Sequence, residues 1–439
     1  MCQLLTRTLS RSLKVRTMPD QQTAIHFLQQ LFQQTIIAAS PINKLQPYLP
    51  PQKPSGKVIV VGAGKAAAAM AAEWERIWPP SYPPLNGVVV TRYGHSIPTK
   101  HIKVLEASHP LPDSASQLAA QTLLNAVQGL RANDQVYFLV SGGASALTTL
   151  PVNSISLADK QAINKQLLSH GVPIDAMNTI RKHLSQIKGG RLALAAAPAS
   201  ITTLAISDVA GDNISTIGSG AAVPDPTTLS EVHDIIARYN IQLPEYITTY
   251  LQSAIAETPK ALPNSSAHLV ITPNLVFDNV CHWAEKQNME VLYLGDRIGG
   301  EAREVAQVMA GIALHHQQQR HKAKPLLILS GGETTVTLGK HQGRGGRNSE
   351  FLLALAIALN DTENIYALAA DTDGIDGSED NAGAWITPHT LSKAEQIGVS
   401  ANSMLNSHYA YDFFAAIQQL LITGPTLTNI NDFRAILVF

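Results

Sequence analysis

Val58-Ile59-Val60-Val61-Gly62-Ala63-Gly64-Lys65 reads as a buried strand that breaks into a glycine turn, and the Ala-rich stretch Ala66 to Trp74 continues it as a helix. The theme returns along the chain. Val136–Val140 runs into Ser141-Gly142-Gly143-Ala144-Ser145, and Thr203–Ile206 runs into Ser207-Asp208-Val209-Ala210-Gly211-Asp212. Leu326–Leu329 leads to Ser330-Gly331-Gly332-Glu333, and Ile365–Ala370 leads to Asp371-Thr372-Asp373-Gly374. Near-continuous apolar strands alternating with helices specify an α/β protein whose largely parallel sheets are covered by helices on both faces. Ligands of open parallel sheets bind beyond the carboxyl ends of the strands, which is where these glycine, serine and aspartate segments fall.

A chain of 439 residues exceeds one ordinary hydrophobic core, so two domains are expected. A helical connection from about Pro244 to Ser266, containing Pro and Ser, sets the boundary near residue 260. The expected domains are 20–260 and 261–439. The first begins with a helix whose apolar positions are Ile25, Phe27, Leu28, Leu31, Phe32 and Ile36. Residues 1–19 carry Arg7, Arg11, Lys14 and Arg16 and no acid, a composition shared by transit peptides. A disordered tail, or an over-extended start with Met18 as initiator, is the favoured reading of that stretch. The formal net charge is −1, which excludes broad attraction to nucleic acid or anionic lipid. Cys2 and Cys281 are too few for a disulfide framework or a thiolate zinc site and fit a reducing, cytoplasmic setting. No apolar run is long enough to span a bilayer.

Phosphate handling is the chemistry most of these segments suit. Gly62, Gly64 and Lys65 could bring backbone N–H groups, a helix N-terminus and an ammonium to an anion, although the P-loop spacing is absent. The alternative is a tight turn with a solvated lysine. The same turn also satisfies a loose dinucleotide pattern, with Ala67 as the third small residue. The next strand, Gly87–Val90, ends in Thr91-Arg92 without the acid that would bind a ribose. The turns Ser141-Gly142-Gly143 and Ser330-Gly331-Gly332 each offer amides and a hydroxyl for phosphate oxygens, or are plain turns. Ser145 lacks the final glycine of a hydrolase nucleophile elbow. In Lys340-His341-Gln342-Gly343-Arg344-Gly345-Gly346-Arg347-Asn348, two arginines among glycines suit a nucleotide's phosphates or a transferring phosphoryl group. Lys188-Gly189-Gly190-Arg191 is either a second anion site or a helix break. Asp208 and Asp212 follow one strand, and Asp371, Asp373 and Asp376 another, as candidates for Mg²⁺ and for a base. His315, His316 and His321 read as a solvated helix face, and His109 as a loop residue near the cleft.

Taken together, the segments resemble the glycerate 2-kinases whose C-terminal part is called the MOFRL domain. The resemblance runs from about residue 22 to the C-terminus. Val60–Ala66, Ser108–Asp113, Ser141–Ala146 and Arg181–Leu192 carry it in the first half, and Gly345–Asn348, Thr372–Gly377 and Thr423–Asp432 in the second. It implies a Rossmann-like N-terminal domain, a MOFRL-type α/β C-terminal domain and an active site in the cleft between them. It further implies transfer of the γ-phosphoryl of ATP to the 2-hydroxyl of D-glycerate, with Mg²⁺, by a monomer or homodimer. The family's important lysine corresponds to Lys65, and its important arginine to Arg347 ahead of Arg344. Ser349 stands where much of the family has glutamine. Asp208 is the candidate base, Asp371 and Asp208 are the candidate metal ligands, and the glycine turns with Ser145, Lys188, Ser330 and Arg344 are the candidate ATP contacts. Some relatives have carried the label hydroxypyruvate reductase, so an NAD(P)H-dependent reductase stays open beside the kinase, as does a non-catalytic metabolite sensor.

Overall fold

Six strands of the first half, all parallel, form one sheet in a computed structural model that describes residues 21–319, 324–339 and 343–439. The basic stretch 1–19, the position of Cys2 and His321, and Lys340 to Gln342 of the arginine loop lie outside the described residues. The strands are β1 (Val58–Ala63), β2 (Leu85–Arg92), β3 (Ile102–Ala107), β4 (Gln135–Val140), β5 (Ser200–Ile206) and β6 (Ser265–Ile271), in the order β3-β2-β1-β4-β5-β6. β1 is buried along its whole length because both faces are covered. Val58 and Val60 pack with Met70 and Trp74 of the helix Ala67–Ile77 on one side. Ile59, Val61 and Ala63 pack with Leu123 and Leu124 of the helix Ser114–Val127 on the other. The chain leaves β1 toward β2 and β3, then returns to β4 on β1's opposite flank. The ends of β1 and β4 therefore diverge and leave a crevice between them.

The helices Leu157–Ser169, Ile174–His183, Leu229–Arg238 and Glu245–Leu251 bundle around a separate core that includes Leu167, Ile180, Val232 and Ile247. The first two of them line the cavities at the carboxyl end of the first sheet.

The second sheet is mixed rather than largely parallel, a correction to the sequence expectation. Its strands are β7 (Glu290–Tyr293), β8 (Leu326–Ser330), β9 (Ile365–Asp371), β10 (Gly383–Ile386), β11 (Leu420–Leu421) and β12 (Asp432–Val438), in the order β11-β10-β9-β12-β8-β7. Only β7 and β8 run parallel. The last strand, β12, inserts antiparallel between β8 and β9. Burial on both faces makes β8 and β9 look like parallel strands in sequence, and here helices produce that burial around an antiparallel centre.

Two further differences concern the domain boundary. β6 still belongs to the first sheet, so the crossover follows Ile271 and not residue 260. As an edge strand, half-buried with exposed Ser266 and His268, β6 reads in sequence as a polar boundary. The first helix, Gln21–Ala39, also packs on the second sheet. Its Phe27 stacks on Trp283 of the helix Pro273–Lys286 at 5.7 Å, and its Phe32 meets Phe433 of β12 at 5.5 Å. Helical periodicity predicts a buried face but not which sheet it covers.

Candidate active site

The turn after β1 is built to deliver one side chain. Gly64 has φ +132°, and a Cβ there would lie 2.2 Å from Ser141 Oγ, so only glycine lets β1 pass this close to β4. Its N–H donates to Val90 O (3.1 Å), the Lys65 N–H to Gly142 O (2.9 Å) and the Ala66 N–H to Ser141 Oγ (3.0 Å). Those amides and the Ser141 hydroxyl are occupied, and Gly62 lies inside β1 against Leu139 O. The Gly64, Lys65 and Ala66 amides thus have partners within the protein, and the turn's geometry serves a side chain. It projects Lys65, 9% exposed, across the cleft to an ion pair with Asp373 beyond β9. Burial alone would depress the Lys65 pKa, but the Asp373, Asp371 and Asp208 carboxylates outweigh it and hold the ammonium above its ordinary value.

The turn after β4 differs. The Gly142 and Gly143 N–H groups donate to no acceptor among the described residues and face the crevice. Gly142 also lets Asp208 approach, since a Cβ would lie 1.9 Å from Asp208 Oδ2. Asp208 follows β5 and is held from the other domain: Asn429 donates to Oδ2 (3.0 Å) and Asn431 to its main-chain oxygen. Burial pushes the Asp208 carboxyl up to about 6, against the pull of Lys65.

Arg347 is the first residue of the helix Arg347–Leu359. Asp376 caps that helix, accepting from the N–H groups of Asn348 (3.0 Å) and Ser349 (2.8 Å) and from Ser349 Oγ (2.6 Å). The serine at position 349 thus helps to fix the helix start. The Arg347 guanidinium then donates to Asp432 (2.7 Å), Glu333 (2.7 Å) and Asp371 (2.8 Å). Burial, together with the nearby Asp373 charge, raises the Asp371 carboxyl well above the usual range. Burial also opposes ionisation of Asp373, but the Lys65 ammonium overcomes it and keeps that carboxylate charged.

Lys65, Asp208, Asp371, Asp373 and Arg347 are therefore brought together from two domains. Of these, Asp208 lines a cleft of about 520 Å³, together with Gly142, Gly143, Ser145, Gly332 and Glu333. Gly332 reaches it through φ +105°, passing Ile298 O where a Cβ would lie at 2.2 Å. Other expected ATP contacts lie elsewhere. Arg344 is exposed, paired with Glu379 (2.7 Å) and Asp412 (3.2 Å) and lying over Tyr411. The Gly189 and Gly190 amides bond Ser219 O and Gly220 O and form the break before the helix Arg191–Ala196. Ser330 is buried, and a Cβ on Gly331 would meet Phe277 at 2.6 Å. Lys188 lines an adjoining cavity. The sequence reading gave no role to Asn429, Asn431, Glu333 or Asp432. The only signal for three of them is the matching segment Thr423–Asp432, whose amide side chains mark no chemistry in isolation.

Residues 27–252 match the family described as a domain of unknown function, DUF4147, and residues 326–432 match the MOFRL family. The chain is 48% identical to an Agrobacterium vitis protein provisionally named hydroxypyruvate reductase, over 95% of both chains. It is 38% identical to the D-glycerate 2-kinase of Thermotoga maritima, over 86% of this chain and 89% of that protein. The crystal structure of glycerate kinase from T. maritima superposes with a TM-score of 0.84 at 35% identity, covering 95% of this chain and 100% of that one. Sequence motifs, fold and cleft agree that this chain belongs to the glycerate 2-kinase family, built from a DUF4147 domain and a MOFRL domain.

Proposed function

We propose that the protein is a glycerate 2-kinase, transferring the γ-phosphoryl of ATP to the 2-hydroxyl of D-glycerate to give 2-phosphoglycerate and ADP. The observation that carries this reading is the meeting of Lys65 and Arg347, one from each domain, over buried aspartates and the free Gly142 and Gly143 amides. Phosphoryl transfer asks mainly for positioning and for charge stabilisation around a group moving in line between two oxygens. Lys65 and Arg347 neutralise that group, and the glycine amides hold phosphate oxygens. Asp208 orients the 2-hydroxyl and takes its proton as the new P–O bond forms and the bond to ADP breaks. A carboxyl pushed up to about 6 is ionised at neutral pH yet still basic, which suits that task.

Mg²⁺ suits the excess of carboxylates here, although no three of them gather as a ready-made metal site among the described residues. Among the described residues Asp371, Asp373, Asp432 and Glu333 form ion pairs with Lys65, Arg347 and Arg434, Asp208 forms none, and burial disfavours ionisation of Asp208 and Asp371. Asp208, which lines the cleft, and Asp371 would hold the ion. The metal would supply charge neutralisation between the phosphates.

A reductase is less well supported. In a Rossmann sheet the dinucleotide pyrophosphate rests on the helix after β1. Here Gly62 to Ala68 are buried, and the Gly64, Lys65 and Ala66 amides are already bonded. The test is a product assay with ATP, Mg²⁺ and D-glycerate that resolves 2- from 3-phosphoglycerate, beside NADPH with hydroxypyruvate. Accumulation of 2-phosphoglycerate is expected. NADPH consumption without ADP release would overturn the proposal.

A further inference from the structure

Beside the cleft lies a second cavity of about 290 Å³, roofed by the helices Leu157–Ser169 and Ile174–His183. Three cations line it: Lys160, Lys188 and Arg181. Lys160 and Lys188 are 7% and 2% exposed, yet none of the three has a carboxylate partner among the described residues. Lys160 Nζ reaches only Arg181 O, at 3.5 Å, and Lys188 Nζ only Ser145 O. Arg181 is fixed by Asn164 (2.7 Å from Nε) and Asn178 (3.3 Å from Nη1), which leaves Nη2 without an acceptor among the described residues. Neighbouring Lys182 shows the usual arrangement, meeting Asp225 at 3.0 Å. Buried charges are ordinarily paired, and like charges gathered without a counter-ion are costly. Burial, aggravated by Arg181 and Arg191, brings Lys160 down to about 7, and Lys188 is lowered in the same way. The missing partner is an anion.

We infer that this cavity is the acceptor subsite, in which Lys160, Lys188 and Arg181 hold the carboxylate of the hydroxy acid, an assignment that rests on the kinase reading above. Size and position favour the acceptor over the nucleotide. The cavity sits at the bottom of the range of about 300–1,000 Å³ typical of ligand pockets, whereas the larger cleft is the one lined by both domains. The two volumes share Gly143, Ser145 and Arg181. A small acid anchored by its carboxylate among the cations thus presents its hydroxyl at that seam, beside the free glycine amides and on the Asp208 side. The fixed guanidinium, with one Nη open, and two ammonium groups match a single planar carboxylate.

The test is Lys160→Met, which keeps the stem and removes the charge. Turnover is measured against D-glycerate, its neutral amide D-glyceramide, and ATP, with thermal shift by D-glycerate alone measured in parallel. A charged hydrogen bond of about 1.5–3 kcal/mol corresponds to a rise in KM for D-glycerate of roughly 10- to 100-fold. The KM for ATP is expected to stay within about twofold, and the preference for acid over amide to collapse. Should Lys160→Met not fold, Arg181→Lys is expected to give the same split. A raised KM for ATP with an unchanged KM for D-glycerate would assign the cavity to phosphates and overturn the inference, as would no change in either. If the wild type turns over no ATP, the kinase reading fails separately. A thermal shift by D-glycerate in the wild type that is lost in Lys160→Met would still support the subsite, and no shift in the wild type would reject it.

Discussion

Replacing Arg347 by alanine separates its two duties, holding the cleft and stabilising the transferred group. Its guanidinium is 23% exposed and meets three carboxylates within 2.8 Å. Breaking a buried ion pair by removing one partner costs about 3–5 kcal/mol. The lower end applies here, because Glu333 is 54% exposed and returns to water, Asp432 keeps Arg434, and Asp371 can take up a proton. Arg347→Ala is therefore expected to lose about 3 kcal/mol of stability. Its kcat should fall on the order of 10³, the scale for an arginine that stabilises phosphoryl charge. Adding Asp371→Asn removes one of the stranded carboxylates, so it should recover part of the stability and none of the rate. Urea unfolding and ADP release, measured at a temperature where all variants are folded, supply the two quantities. A kcat within tenfold of wild type beside the expected stability loss would reduce Arg347 to a clamp. A double variant that regains rate along with stability would refute the charge-stabilising role.

Three other outcomes are expected. Gly142→Ala puts a Cβ 1.9 Å from Asp208 Oδ2 and 2.3 Å from Asn429 Nδ2, so the candidate base must move, and kcat should fall about 10²-fold with a small change in melting temperature. Arg344→Ala, on the surface side of the same loop as Arg347, should leave kcat within about twofold, since exposed pairs hold little. Lys160 is down to about 7 in the fold against an ordinary 10.5, so between those values the unfolded chain binds more protons and apo stability rises with pH. Lys160→Met should flatten that rise in urea midpoints without abolishing it, because Lys188 beside it titrates in the same sense while Arg181 and Arg191 stay charged.

The first sheet was legible because its apolar runs end in polar or glycine turns, the pattern of strands buried on both faces. The second sheet misled for the same reason: burial on two faces erases the alternation that would have revealed antiparallel neighbours. The surroundings of Lys65 differ from what the sequence suggested. The turn was read as a phosphate cradle, yet its glycines serve the packing of β1 on β4 and its amides are occupied. Arg344 and Arg347 are equivalent as letters, and only the capped helix start turns one inward. Asp373 was noted only as a candidate for the metal or the base, and its ion pair was not foreseen, because its partner lies 308 residues away. Lys160 sits in a polar helix, where nothing local separates a buried lysine from a solvated one.

The seat of the first helix also sets an order of events during synthesis. Gln21–Ala39 leaves the ribosome well before its partners Trp283 and Phe433, the second of which lies on β12. The parallel sheet can assemble while the rest of the chain is still being translated. The helix that precedes it must wait, apolar face uncovered, until β12 arrives. The second sheet is thus closed by a segment made long before its own strands, so a change in Gln21–Ala39 acts on a body encoded far from it.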